Sequence, residues 1–112
     1  MYAEEKLDWI YVGKLDDIPM LGARVINTDE GDIAIFRNSK DEVFALRDQC
    51  PHKGGKLSQG IVHGRSVTCP LHNWVLGLDD GEAKGPDVGC AQRFAVKLEG
   101  DCIMLCLTPG GN

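Results

Sequence analysis

Two short segments of the chain carry residue types that bind transition metals. Cys50-Pro51-His52 is followed, after sixteen intervening residues, by Cys69-Pro70-Leu71-His72. Each segment offers one thiolate and one imidazole, so the pair supplies four potential ligands. Such a set suits either a tetrahedral zinc ion or a [2Fe–2S] centre in which two histidines replace two cysteines on one iron. We therefore interpret the two segments as loops that form one metal site.

The third histidine and the other cysteines are expected to have structural roles. His63 lies outside both segments, in a stretch typical of a turn or an exposed surface. Cys102 and Cys106 have even spacing along a predicted strand, which places them on one face as small buried residues. Cys90 follows Gly89 in isolation and is interpreted as a structural thiol. An odd set of five cysteines, in a chain where we find no export signal, favours metal ligation over disulfides.

Strand-like runs separated by turn residues surround the two segments, and we find no convincing helical periodicity. The predicted strands are Trp9–Val12, Ala23–Ile26, Asp32–Phe36, Val43–Leu46, Ser66–Thr68, Trp74–Leu76, Arg93–Leu98 and Cys102–Leu107. The predicted fold class is all-β, in a single domain that spans residues 1–112. Its middle part, about 48–86, holds all three histidines. We predict that this part is a small subdomain carrying the site, inserted into a base formed by 1–47 and 87–112.

The charge balance excludes some classes of partner. The chain has 12 basic and 17 acidic residues, a formal net charge of −5 and a pI near 5.0. Nucleic-acid binding is excluded because phosphate contacts need clustered Lys and Arg. A basic protein surface is the expected complement. Since no stretch approaches the roughly 18 apolar residues of a membrane span, we predict a cytoplasmic protein without membrane contact.

The two segments resemble the signature of Rieske [2Fe–2S] proteins. The matching stretches are Cys50-Pro51-His52-Lys53-Gly54-Gly55 and Cys69-Pro70-Leu71-His72. The resemblance implies a Rieske-type antiparallel β-sandwich or barrel base, with a small cluster-binding subdomain formed by two loops. It also implies one [2Fe–2S] cluster per chain. In that arrangement the inner iron is held by Cys50 and Cys69, and the outer, more exposed iron by His52 and His72.

Further stretches are similar to the small subunit of assimilatory NAD(P)H-dependent nitrite reductase. These stretches are 51–60, 69–74, 78–83 continuing to 89–90, 15–19 and 93–96. The resemblance implies an electron-transfer subunit, without catalytic side chains of its own, that supports reduction of nitrite to ammonium. Its implied partner is a large subunit with FAD, a [4Fe–4S] cluster and sirohaem. The alternatives are a free Rieske ferredoxin that serves a ring-hydroxylating dioxygenase, and a structural zinc module.

Four positions depart from the Rieske proteins of the cytochrome bc type. Gly55 and Leu71 stand where those proteins have their two disulfide-forming cysteines, so no such bridge is expected here. Trp74 and Leu76 stand where they have a serine and a tyrosine that donate hydrogen bonds to cluster sulfur. Fewer donors stabilise the reduced cluster less, so we predict a potential toward the lower end of the Rieske range, about −150 to +300 mV. Trp74 is expected either to shield the cluster or to contact a partner.

Overall fold

The computed structural model describes residues 9–29, 31–49, 55–70, 73–84 and 89–109. Its strands, numbered in chain order, are β1 Trp9–Lys14, β2 Ala23–Thr28, β3 Gly31–Arg37, β4 Val43–Arg47, β5 Ile61–His63, β6 Ser66–Thr68, β7 Val75–Gly77, β8 Arg93–Glu99 and β9 Cys102–Pro109. Short 3-10 helices cover Leu15–Asp17 and Leu57–Gln59. The predicted all-β class is confirmed. None of the described stretches forms a helix long and apolar enough to cross a membrane.

Six of these strands form one nearly closed antiparallel sheet, in the order β1-β9-β8-β4-β3-β2. Hairpins account for the neighbours β2–β3, β3–β4 and β8–β9. The remaining pairings are long-range, because β9 lies beside β1 and β8 lies beside β4. Both ends of the described chain therefore belong to one base, and the segments that carry the candidate ligands leave and re-enter it between β4 and β8.

The other three strands form a small antiparallel sheet in the order β5-β6-β7. Its buried residues include Val62, Val67 and Leu76, which are paired across the three strands. They pack with Ala34 and Phe36 of β3 in a common apolar cluster. The small sheet is thus attached to the base through one continuous core, which sets its position relative to β3.

Strand β3 is buried on both faces, and this explains its uninterrupted apolar run. Ile33 and Ile35 point into a second core cluster, shared with Ile103 and Leu105 of β9. Because side chains alternate along a strand, the residues between them, Ala34 and Phe36, point to the opposite face and meet the small sheet. Full burial of one such large aliphatic or aromatic side chain contributes about 1.5–3 kcal/mol. β3 is therefore the strand that both halves of the molecule share.

One sequence prediction about local structure is confirmed and one is wrong. His63 was expected in a turn or on the surface, and it is exposed, at the end of strand β5. It pairs with Ser66 around a two-residue turn in which Gly64 has φ of +59°. Trp74 was expected to begin a strand, but β7 begins at Val75. The reason is the loop before it: Asn73 has a left-handed φ of +59°, which interrupts the extended conformation.

The predictions for the thiols are confirmed in part. Cys102 and Cys106 share a face of β9, as predicted, but it is the face opposite Ile103 and Leu105, which enter the core cluster. Cys106 is nevertheless buried, whereas Cys102 is partly exposed. Cys90 was expected to be a structural thiol, and it is exposed. The pairing of distant segments decides these exposures, and the local sequence pattern does not show it.

Candidate metal centre

The second Cys/His segment forms the connection between strands β6 and β7. Cys69 directly follows β6, and its backbone N–H donates a hydrogen bond of 2.6 Å to the carbonyl oxygen of Trp74. The preceding pair, Thr68 and Val75, is in register across the two strands. The two ends of the loop are therefore held together, by the Cys69–Trp74 hydrogen bond and by the pairing of Thr68 with Val75. His72, a predicted ligand, is outside the described residues.

Cys69 itself is fully buried, in the apolar cluster that joins the small sheet to the base. Leu57 and Leu76 belong to the same cluster, and Trp74 packs against it. A buried thiol in such surroundings is either a small apolar residue or a ligand to a metal group shielded from water. The position suits the more enclosed of the two irons that the resemblance assigns to a cysteine pair.

The first Cys/His segment follows strand β4, and its predicted ligands Cys50 and His52 lie outside the described residues. Its two flanks are described. On the incoming side, Asp48 is only 6% exposed. On the outgoing side, Ser58 belongs to a 3-10 helix, and both its backbone N–H and its hydroxyl donate hydrogen bonds of 2.7 Å to the Asp48 carboxylate. The two flanks of this segment are therefore also joined, by the hydrogen bonds from Ser58 to Asp48.

The flanks of the two Cys/His segments are in contact with each other. Gly60 ends the 3-10 turn of the first segment, and a β-carbon built on it would overlap the carbonyl oxygen of Thr68, next to Cys69. Gly55, on the first segment, is buried as well. Close backbone approach of this kind requires glycine. The flanks of both Cys/His segments are thus adjacent.

A polar network holds the far end of the small sheet. The side chain of Asn38, buried at the β3–β4 turn, donates to Glu42 at 2.8 Å and to the Gly64 carbonyl oxygen at 3.0 Å. Arg65 also donates to the Glu42 carboxylate, at 2.7 Å. These hydrogen bonds lower the pKa of Glu42 to about 2, and its carboxylate raises the pKa of Arg65. The network ties the β5–β6 turn to the base, at the end of β6 opposite Cys69.

The sequence analysis did not identify the roles of Asp48, Ser58 and Asn38, whose hydrogen bonds hold the two loops and the small sheet in place. The signal that was available is residue type: short polar side chains next to a loop commonly accept or donate hydrogen bonds to nearby backbone. It could not show that Asp48 binds Ser58 across the Cys/His segment. Within the described ranges, no group of three or more His, Cys, Asp or Glu side chains is placed to hold a metal ion.

The family model of the Rieske [2Fe–2S] domain matches residues 8–102. The chain therefore belongs to the Rieske [2Fe–2S] family. Its cofactor is a Rieske-type [2Fe–2S] cluster, so the alternative of a structural zinc module is wrong. The chain is thus an electron carrier associated with oxidoreductases.

Two sequence relatives of similar length are ferredoxin components of dioxygenase systems. The ferredoxin component of the naphthalene 1,2-dioxygenase/salicylate 5-hydroxylase systems of Ralstonia sp is 29% identical, over 88% of this chain and 94% of its own length. The naphthalene 1,2-dioxygenase ferredoxin component of Pseudomonas aeruginosa is 27% identical, over 89% and 96%. Other relatives are much longer. The chain spans only 16% of the 3-ketosteroid-9-alpha-monooxygenase oxygenase component of Mycolicibacterium smegmatis, at 36% identity over 64% of this chain.

Solved structures share the fold. A Mycobacterium tuberculosis protein assigned as an NADH-dependent nitrite reductase small subunit superimposes with a TM-score of 0.79 at 21% identity, over 89% of this chain and 95% of that one. The carbazole 1,9a-dioxygenase ferredoxin of Nocardioides aromaticivorans has a TM-score of 0.77 at 23% identity, over 87% and 95%. At 21% and 23% identity, these likenesses show the shared fold.

Proposed function

We propose that this Rieske protein is the electron-transfer small subunit of an assimilatory nitrite reductase, which reduces nitrite to ammonium with NAD(P)H. We further propose that Cys50 and Cys69 hold the inner iron of the cluster, and His52 and His72 the outer one. The proposed partner is a large subunit that carries FAD, a [4Fe–4S] cluster and sirohaem. The proposed location is the cytoplasm, where nitrate assimilation takes place.

The observation that carries this proposal is the segment after strand β7. Its sequence, Leu78-Asp79-Asp80-Gly81-Glu82-Ala83 continuing to Gly89-Cys90, is similar to the nitrite reductase subunit. The segment folds back on the small sheet, since Ala83 forms a β-bridge with Leu76 and Glu82 forms one with Cys90. The distinctive residues are thus part of the scaffold that carries the Cys69 loop, and this supports their use as a marker of the subunit type.

The ligand chemistry suits a relay. A [2Fe–2S] cluster accepts and donates one electron at a time. With two thiolates and two neutral imidazoles, its oxidised form has a formal charge near zero, so adding an electron is easier than with four thiolates. Cys69 is enclosed by apolar side chains, which leaves the histidine side as the proposed entry and exit for electrons.

Co-purification from the native host tests the partner. We expect the chain to be isolated with a larger protein that contains sirohaem and FAD. Cys69→Ser is expected to remove the cluster and to abolish NAD(P)H-dependent nitrite reduction by the complex. Cys90→Ser, which alters an exposed thiol, is the matched control and should leave both intact. A cluster-free complex that reduces nitrite at the full rate would show that the chain is not the relay.

The second candidate is a free ferredoxin that delivers electrons to a ring-hydroxylating dioxygenase. It is favoured by the Ralstonia sp ferredoxin component, which matches nearly its whole length to this chain. The same four ligands would serve that role. Purification as a lone red-brown carrier, which reduces an oxygenase component and does not bind a sirohaem protein, would favour this candidate over the first.

A further inference from the structure

A buried carboxylate joins the two ends of the first Cys/His segment. Asp48 uses both carboxylate oxygens on one residue: Oδ1 accepts the backbone N–H of Ser58, and Oδ2 accepts its hydroxyl, each at 2.7 Å. The backbone N–H of Asp48 donates to the carbonyl oxygen of Asp32 at 2.9 Å. Hydrogen bonds to a charged group are roughly twice as strong as neutral ones. The carboxylate therefore anchors Ser58 to the β3–β4 hairpin.

The position of this contact relates it to the cluster. Asp48 precedes Cys50 by two residues, and Ser58 follows His52 by six. The hydrogen bonds thus close a loop that contains both proposed ligands of the first segment. We infer that Asp48 is a positioning residue for the [2Fe–2S] cluster, closing the loop that presents Cys50 and His52 and lowering the reduction potential through its buried negative charge. This inference rests on the ligand set proposed above.

The two effects of Asp48 have separate causes. Closure restricts the conformations of the loop, so the ligands need less ordering when they bind iron, and the cluster is released more slowly. The charge acts at a distance: a carboxylate that is mostly shielded from water disfavours the added electron of the reduced cluster. Asp48→Asn removes the charge and weakens the closure. Ser58→Ala removes one hydrogen bond and keeps the charge.

Glu42 provides a matched control. Like Asp48 it is a carboxylate that accepts hydrogen bonds at both oxygens, but its donors are the side chains of Asn38 and Arg65, at the end of the small sheet opposite Cys69. Glu42→Gln therefore weakens a comparable contact without touching either loop. If Asp48 acted only through general stability, both substitutions would have the same effect on the cluster.

The test measures bleaching of the visible spectrum by excess chelator and the midpoint potential by protein-film voltammetry, on loaded full-length protein. We expect Asp48→Asn to lose the cluster about 10- to 100-fold faster than wild type, the range found for residues that support metal ligands. Its potential should rise. Ser58→Ala should bleach faster with a smaller change in potential, and Glu42→Gln should match wild type in both measurements.

Three results would overturn or redirect the inference. Wild-type bleaching rates and potentials in folded Asp48→Asn and Ser58→Ala would overturn it, as would equal effects from Glu42→Gln. If Asp48→Asn fails to fold, the bleaching rate of Ser58→Ala tests the inference, and a wild-type rate in that variant overturns it. Cys50→Ser is measured alongside: full cluster retention in that variant would overturn the proposed ligand set, independently of what Asp48 does.

Discussion

Gly60 lies directly against the backbone of Thr68, so closely that a β-carbon on Gly60 would overlap the Thr68 carbonyl oxygen. Val67 and Leu57 lie around the same point. Gly60 follows the first Cys/His segment, and Thr68 directly precedes Cys69 in the second. At this backbone contact the flanks of the two segments meet, and it leaves no space for a side chain.

Gly60→Ala should destabilise the fold by about 1–3 kcal/mol, the usual cost of inserting a methyl group into a packed site. Denaturant unfolding monitored by circular dichroism measures this. Gln59→Ala is the control, since Gln59 is the neighbouring residue and its side chain is exposed. We expect that control to stay within about 0.5 kcal/mol of wild type. Equal stability of both variants would contradict the close contact.

Glu42 should make stability depend on pH in acid. Its pKa is lowered from 4.5 to about 2 by hydrogen bonds from Arg65 and Asn38. A folded-state pKa below the unfolded one stabilises the fold above pH 4.5, and this contribution is lost as the pH falls toward 2. The difference in unfolding free energy between wild type and Glu42→Gln should therefore shrink over this range.

Denaturant unfolding at a series of pH values checks this expectation. Glu99→Gln removes an exposed carboxylate that pairs with Lys97 along the chain. As the control, it should change the unfolding free energy by less than about 0.5 kcal/mol at each pH. A Glu42→Gln difference that stays constant from neutral to acid pH would show that the Arg65 and Asn38 contacts do not persist in solution.

Cys90 should be the most reactive thiol of the loaded protein. It is exposed, whereas Cys69 and Cys106 are buried, and accessibility of the thiolate controls alkylation. Brief maleimide treatment followed by peptide mass spectrometry should find Cys90 modified and the visible spectrum unchanged. In Cys90→Ser the fast phase of labelling should disappear. Bleaching in step with Cys90 modification would instead place this residue at the cluster.

The midpoint potential should lie below zero. By the resemblance to Rieske proteins, Trp74 and Leu76 match the positions at which cytochrome bc-type proteins have hydroxyl donors to cluster sulfur. Leu76 is fully buried in the apolar cluster and has no polar group to donate. Because fewer donors stabilise the reduced state less, the potential falls toward the lower part of the Rieske range. Protein-film voltammetry measures it, and a midpoint well above zero would refute the argument.

Much of the fold was predictable because strand formation depends on local patterns. The apolar run in 32–36 and the alternation in 93–98 correctly indicated strands, and the turn residues after each of these runs correctly indicated hairpins. The strand Ile61–His63 was missed, although the equally short Ser66–Thr68, its hairpin partner, was predicted. The sequence also did not show that Cys90 is exposed or that it forms a β-bridge with Glu82.

The sequence by itself determined the kind of site. Metal chemistry depends on residue type and on short spacings, and both are visible in the two Cys/His segments. Only the tertiary structure decided how the segments are held: Asp48 reaches Ser58 ten residues away, and Asn38 reaches Gly64 twenty-six residues away. Such contacts form because burial of one shared core brings these polar groups together where water cannot satisfy them, and no local pattern records which groups will meet.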